Sequence, residues 1–404
     1  MSSVASHHET LNPPRIRQRS NGIAVNWPDG HDSFFHHVWL RGCCYCEICG
    51  DSYSSKRYLK PNDVALDVAP RSVRIEDEQW LDIEWTGGES AQDTHQSRYS
   101  LAWLRANCYS DAARRRRFHR PTTWGASIKS ALPSVEFQAA ETDDNARFDL
   151  FGKLRDYGFV VVRGGPARDD GVERVATLIG EITDSAYGKI FDLTPQSVEK
   201  TLGNTTEPVP PHTDEAYRHN PPGINVLHCV RPAASGGASV LVDGFNLGEI
   251  MRERAPAAFH LLATQPQPYH RVVLKSGIDQ RTRGPVFVLN ELGTIVGFRF
   301  HTRSAAPLDV PADVVERLYA ANHALSALMM NEDNQARFLL SAGDAVLFDN
   351  QRVMHSREGF DDIERKMRIC SVSREQMHEQ LRLLAHKLGR ADEAEQVLAA
   401  GVTG

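Results

Sequence analysis

The sequence predicts two folded parts, both mainly β with flanking helices: a small N-terminal β-rich module and a larger C-terminal double-stranded β-helix, or jelly roll. Three observations predict this. Short apolar runs bounded by Pro and Gly turns recur through the second half, as in Phe159-Val160-Val161-Val162 and Ala345-Val346-Leu347-Phe348. Between and around them lie a few helical stretches, the clearest from about 312 to 330, and that mixture fits helices packed outside a β-barrel. The first hundred residues carry hairpin signals and a tight cysteine cluster instead of a long apolar core.

Taken in order, residues 1–20 are polar, with Arg15, Arg17 and Arg19 and no apolar stretch of the kind a signal peptide needs; they read as a disordered lead-in to a cytoplasmic protein. The β-rich module spans 21–108. Ile23-Ala24-Val25-Asn26-Trp27, a Pro28-Asp29-Gly30 turn and Ser33-Phe34-Phe35-His36 form a hairpin signal, followed by Trp39-Leu40-Arg41. The pattern returns as Ile83-Glu84-Trp85, Gly87-Gly88, then Trp103-Leu104-Arg105, so the module reads as two similar β-units. Four of the seven cysteines fall within seven residues, in Gly42-Cys43-Cys44-Tyr45-Cys46-Glu47-Ile48-Cys49. An odd count, clustered in a chain read as cytoplasmic, points to metal and not to disulfides. Three thiolates and an imidazole close a tetrahedral zinc site; Cys44, Cys46, Cys49 and His95 are the set, with Cys43 a competitor for the first place and an iron–sulfur cluster a lesser alternative.

Residues 109–145 read as a linker. Their run Arg114-Arg115-Arg116-Arg117 reads as a solvated or interdomain face, and the net charge of −6 does not suggest a general polyanion binder, so no nucleic-acid partner is expected. No apolar run approaches the ~20 residues of a membrane span. The large domain then runs from 146 to 404. It opens on a short helix ending at Gly158, continues through strands that dominate from 211 to 303 around a helix from Gly248 to Thr264, and ends in a charged helical tail suited to subunit contact.

The chemistry centres on Pro211-His212-Thr213-Asp214. On an extended strand residues i and i+2 face the same side, so His212 and Asp214 project together. His355, after the apolar strand that ends at Phe348-Asp349-Asn350, is the third member. Two histidines and a carboxylate on one face leave positions open for a co-substrate and O2, the pattern of non-haem Fe(II). Arg365 and Arg368 follow, and an arginine there can clamp a dicarboxylate through a two-pronged ion pair. H-x-D, a late His and an Arg about ten residues on is the order of a 2-oxoglutarate-dependent oxygenase. Two readings of other classes compete. A zinc hydrolase would also use His and Asp, but neither an H-E-x-x-H helix nor a second carboxylate placed as general base is evident. An inactive zinc-stabilised binding scaffold would have no use for the set.

Together these residues resemble the γ-butyrobetaine hydroxylase-like enzymes of the taurine dioxygenase superfamily, over nearly the whole chain. The resemblance implies a zinc module held by Cys44, Cys46, Cys49 and His95, Fe(II) on His212, Asp214 and His355, 2-oxoglutarate anchored by Arg365 beside Leu227, and a homodimer. It implies hydroxylation of a small-molecule substrate with release of succinate and CO2; a carboxylate at Asp214 disfavours halogenation. Arg368 is expected as a further contact to co-substrate or substrate. The substrate pocket departs from the family. Where an aromatic cage would hold a trimethylammonium group, Asn204 and Ser371 stand in place of tyrosines, while Tyr187 and Phe191 remain as aromatic walls. His301, Arg303 and Thr201 stand near or at asparagine positions. A thinner cage with added positive charge suits a substrate with an anionic or neutral polar end; γ-butyrobetaine or trimethyllysine hydroxylation proper is the alternative.

Overall fold

The computed structural model describes residues 14–51, 54, 56–86, 95–197 and 202–394, so the reading of Thr201 lies outside the described residues. The chain divides into two compact units, one ending at Arg117 and the other beginning at Phe118.

The first unit is a duplicated β-meander. Strands Arg15–Arg19, Gly22–Asn26 and Asp32–His36 form one three-stranded sheet, followed by helix His37–Gly42. Strands Pro70–Glu76, Trp80–Trp85 and His95–Ser100 form another, followed by helix Leu101–Ala106. The repeat expected from the two Trp-Leu-Arg runs is real in three dimensions. Trp27 Nε1 donates to Ser33 Oγ at 2.8 Å, and Trp85 Nε1 donates to Ser97 Oγ at 2.9 Å. The indoles of Trp39 and Trp103 stack with centroids 5.6 Å apart. The shared core joins Ile23, Val25, Phe35 and Leu40 from one half to Leu81, Ile83, Tyr99 and Leu104 from the other.

Two boundary expectations change. Part of the lead-in is structured: Arg15–Arg19 pairs with Gly22–Asn26, Arg15 opposite Asn26. The linker reading of 109–145 also gives way. Helix Asp111–Arg117 packs within the first unit, where Arg117 donates to the carbonyls of Ala106 and Cys108. From Phe118 the chain already belongs to the second unit, with buried Trp124 edge-on to Phe159 at 4.9 Å. Arginine and proline density in this stretch hid helices too short to show a period.

The second unit is the double-stranded β-helix. Among the described residues one sheet runs Ile190–Leu193, Lys366–Val372, Ile224–Arg231, Ala345–Asp349, Phe159–Arg163, Ser134–Glu136. The other runs Val209–His212, Val353–Arg357, Ser239–Asp243, Gln335–Phe338. Phe159, Val161, Val346 and Phe348 alternate inward to meet Leu241, Ala336 and Val353 of the facing sheet. Val160, Val162, Ala345 and Leu347 turn outward under helices Asp144–Tyr157 and Arg374–Lys387. Burial on both faces explains why these strands read as unbroken apolar runs. Met377, Leu381 and Leu384 of the tail helix pack into this core, so one face of the tail is buried within its own unit. The single helix expected over 248–264 is two, Gly244–Arg254 and Pro256–Thr264, because Pro256 has no amide hydrogen with which to continue the first. They pack with Ala312–Met330 outside the four-stranded sheet.

One polar pair lies inside this apolar frame. Arg352, 2% exposed, donates through Nε and Nη2 to both oxygens of fully buried Asp243 at 3.1 and 2.9 Å. Its remaining hydrogens reach the carbonyls of Asp156 and Thr122. Asp243 also caps helix Gly244–Arg254 through the amide of Phe245 and accepts from the amide of Trp124. Gly158, at φ +75°, lets the arginine stem pass, since a Cβ there would lie 2.7 Å from Arg352 Cδ. Replacing one member of such a pair strands a buried charge. Arg352→Leu is therefore expected to destabilise the second unit by about 3–5 kcal/mol, read from the urea midpoint of its tryptophan fluorescence.

Candidate active site

Strand Val353–Arg357 pairs antiparallel with Val209–His212 so that His355 sits directly opposite His212, with ring centroids 4.3 Å apart. The strand carrying His212 ends at that residue, sooner than an extended H-x-D pair would require. Thr213 is then pinned, its amide donating to the Phe300 carbonyl at 2.9 Å and its hydroxyl oxygen accepting from the Phe300 amide at 3.1 Å. Asp214 thereby stays on the side of His212. Its carboxylate oxygens lie 3.4 Å from His212 Nε2 and 3.6 Å from His355 Nε2, and one atom from each of the three residues falls within 4.8 Å of the others.

The donor set fits a divalent cation. His212 Nδ1 lies 2.9 Å from the Pro210 carbonyl, which can only accept, so in the neutral ring Nδ1 carries the hydrogen and Nε2 aims a lone pair at Asp214. Burial pushes the His355 imidazole down to about 4, keeping it neutral at ordinary pH. Burial would raise the Asp214 carboxyl, but in the acidic range where it would take a proton the charge of protonated His355 and His212 outweighs burial and holds the group below the usual carboxylate range. Two imidazole lone pairs and a carboxylate converging in a buried place repel one another unless a cation lies between them.

The support around Asp214 was not legible in the sequence. Ser371 Oγ donates to Asn225 Oδ1 at 2.7 Å, and Asn225 Nδ2 donates to Asp214 Oδ2 at 2.8 Å. Asn350 accepts from the Asp214 amide and donates to its carbonyl. Ser371, expected at an altered cage position, thus also orients the carboxylate through Asn225. No short motif announces Asn225 or Asn350, because their partner lies 11 residues away in one case and 136 in the other.

A cavity of about 950 Å3 opens on these side chains. Leu227, Arg365 and Arg368 line it with Tyr187, Phe191, Asn204, His301 and Arg303, so it gathers every substrate and co-substrate candidate named from the sequence and described here. Arg365 is 5% exposed and stacks 4.9 Å over Phe360, whose ring Arg357 shares at 4.7 Å. Among the described residues Arg365 has no carboxylate partner, whereas Arg357 is engaged by the carbonyls of Gly203, Thr205 and Glu207. Arg368 departs from expectation: it donates to Asp192 at 2.8 Å and to the Asp169 carbonyl and lies 3.6 Å from Glu173, so its charge is already met within the protein. His301 stands 5.2 Å from the His212 ring, bonds Ser304 Oγ through Nδ1 at 2.6 Å, and is held neutral by burial, down to about 3. Tyr217 and Arg271 also line the cavity, and the sequence reading missed both.

In the first unit His95 Nε2 lies 3.3, 3.7 and 3.5 Å from the sulfurs of Cys44, Cys46 and Cys49. Tetrahedral zinc with ordinary Zn–S and Zn–N bonds separates such ligands by roughly 3.6 Å. Cys43 lies outside this group. The duplication supplies an internal control. Counting 64 residues on from His31, Cys44, Cys46 and Cys49 gives His95, Cys108, Ser110 and Ala113. Cys108 Sγ and His31 Nε2 do meet, at 3.2 Å. Here, however, Arg116 donates to His31 Nδ1 at 3.1 Å, so Nε2 of the neutral ring carries the hydrogen, and a serine and an alanine stand where the other half has thiols. His31 and Cys108 thus meet through a hydrogen bond at the place equivalent to the Cys44–His95 contact.

The fold and the cavity define a class, the Fe(II)- and 2-oxoglutarate-dependent dioxygenases. The chain belongs to the family described as taurine catabolism dioxygenase TauD, TfdA, which it matches over residues 117–371, and residues 15–92 match the family of gamma-butyrobetaine hydroxylase-like N-terminal domains. It is 30% identical over 363 residues to gamma-butyrobetaine dioxygenase of Pseudomonas sp. (strain AK-1), covering 89% of this chain and 92% of that one. It is 30% identical over 360 residues to mitochondrial trimethyllysine dioxygenase of Rattus norvegicus, covering 87% and 82%. Among solved structures, an asparagine oxygenase aligns at TM-score 0.46 and 18% identity over 59% of this chain and 83% of that one. The chain is an oxidoreductase that uses Fe(II), 2-oxoglutarate and O2 to hydroxylate a small polar substrate, releasing succinate and CO2. Its Cys3His cluster is compatible with structural zinc. Among the described residues no helix is long and apolar enough to cross a membrane.

Two outcomes follow from this geometry. Asn225→Leu removes the donor that orients Asp214 and should lower Fe(II) affinity about 10–100-fold in anaerobic titration, with the unfolding midpoint as control. Cys44→Ser should release the metal of the first unit, while Cys108→Ser, its repeat counterpart, leaves the metal content measured by mass spectrometry unchanged.

Proposed function

We propose that His212, Asp214 and His355 hold the Fe(II), that Arg365 clamps the distal carboxylate of 2-oxoglutarate with Leu227 against its chain, and that Cys44, Cys46, Cys49 and His95 hold a structural zinc. The observation that carries this is the buried, carboxylate-free Arg365 guanidinium in the same cavity as the triad. A cation kept from water needs an anion to offset its desolvation, and a dicarboxylate brings one. When bound, the iron and co-substrate supply the oxidising power for O2-dependent hydroxylation. The residues of the chain do the rest. His212 and His355 offer ring nitrogens, Asp214 keeps its charge, and Asn225 and Asn350 fix its orientation.

The substrate side of the cavity is lined by Tyr187, Phe191, Asn204, His301 and Arg303. The relatives named above act on γ-butyrobetaine and trimethyllysine. Here asparagine, serine, histidine and arginine at the altered positions favour a small molecule with an anionic or neutral polar end. The two chain units are read as a zinc module and an oxygenase domain. All seven cysteines are free, which fits a reducing, cytoplasmic setting, and a homodimer is proposed from the family resemblance.

Succinate release from Fe(II)-loaded protein tests the reading, with a panel of γ-butyrobetaine, trimethyllysine, amino acids and sulfonates. His212→Ala is expected to abolish turnover, and Arg365→Met to weaken 2-oxoglutarate by roughly two orders of magnitude. Turnover by His212→Ala equal to the parent would sink the reading, and stimulation by γ-butyrobetaine would make this a relative with the unaltered substrate.

A further inference from the structure

Tyr187, Phe191 and Tyr217 form an aromatic corner of the triad cavity, with the rings of Tyr187 and Phe191 5.1 Å apart. The corner already holds a cation. The guanidinium carbon of Arg271 lies 4.5 Å over the Tyr187 ring and 5.9 Å over that of Tyr217, and Arg271 Nη1 donates to the Tyr187 hydroxyl. Aromatic faces attract a desolvated cation, and guanidinium, being planar, stacks on them well. Arg271 Nε is buried and has no hydrogen-bond partner.

The charge around this corner is unbalanced. Glu215, the nearby carboxylate, accepts from the Ala186 amide and from Arg218. Asp192 is paired with Arg368. Among the described residues neither Arg271 nor Arg303 has a carboxylate partner, and both line the cavity. On the reading proposed above, Fe(II) with Asp214, and Arg365 with a dianionic co-substrate, cancel to zero. Two arginine charges are left over on the substrate side.

We propose that Arg271 is a specificity-determining residue that fills the aromatic corner with the protein's own cation and, with Arg303, makes the substrate subsite a receptor for an anionic group such as a carboxylate or sulfonate. Resting on the oxygenase reading, the proposal narrows its substrate class and excludes quaternary ammonium compounds, for which the corner is both occupied and electrostatically repulsive.

Calorimetric titration under nitrogen, on full-length protein holding Fe(II) and saturating 2-oxoglutarate, tests it with two probes, propane-1-sulfonate and tetramethylammonium. The parent is expected to bind the sulfonate at least tenfold more tightly. In Arg271→Ala the sulfonate should weaken about tenfold and tetramethylammonium should gain about tenfold as the rings are vacated. Arg303→Gln, whose arginine does not sit on the rings, should weaken the sulfonate with no gain for tetramethylammonium. Tetramethylammonium binding the parent as tightly as the sulfonate would overturn the proposal, and this comparison needs no variant to fold. Titration of 2-oxoglutarate alone, made first, tests the oxygenase reading separately.

Discussion

The buried pair of Arg352 and Asp243 fixes the part of the barrel on which the chemistry depends. Arg352 stands immediately before strand Val353–Arg357, and Asp243 ends strand Ser239–Asp243, its neighbour in the sheet. Locking the two ends together sets the register in which His355 faces Leu241 on one side and His212 on the other. A slip of one residue would turn His355 to the opposite face of the sheet and dissolve the triad. Two charges inside an apolar frame seldom add net stability over a well-packed apolar pair. Here they join parts of the chain that the hydrophobic effect alone would hold together without a unique alignment: the strand Ser239–Asp243, the capped helix, the stretch from Thr122 to Trp124, and the backbone at Asp156.

The same division of labour marks what could be read from the sequence. His212, Asp214 and His355 were legible because metal ligands must be of a few residue types and because H-x-D has a fixed geometric meaning. The barrel was legible because strands buried on both faces are written as apolar runs. Asp243, Asn225 and Asn350 were not, since an asparagine or aspartate declares its role only once its partner is known, and the partners lie up to 136 residues away. Arg368 misled for the converse reason. From the sequence it stood as well placed as Arg365, and both line the cavity, but Arg368 is paired with Asp192 whereas Arg365 has no carboxylate partner among the described residues.

In the first unit the duplication sets the Cys3His cluster beside an equivalent place that lacks two of its thiols. Both halves have the same meander, the same tryptophan–serine bond and the same histidine–cysteine contact. They differ in the residues that follow, two thiols in one half against a serine and an alanine in the other. At the equivalent place Arg116 on His31 and Arg117 on the Ala106 and Cys108 carbonyls tie the second repeat to the first. The arginine run that seemed a solvated face thus has two members engaged in holding this end of the unit.

The proposed iron ligands and the residue proposed to select the substrate sit on elements of different kinds. His355 lies on an inner strand paired on both sides, and His212 ends the strand beside it; the backbone around both is backed by the inter-sheet core. Arg271 lies on the two-stranded hairpin Gln267–Val273 and Ile278–Gly284, whose Val272, Val273 and Leu274 are exposed. Residues on such a hairpin can change without disturbing the sheet register that assembles the triad, whereas a change at Arg352 cannot. Precision belongs where the reaction needs it, and adaptability where the substrate is chosen.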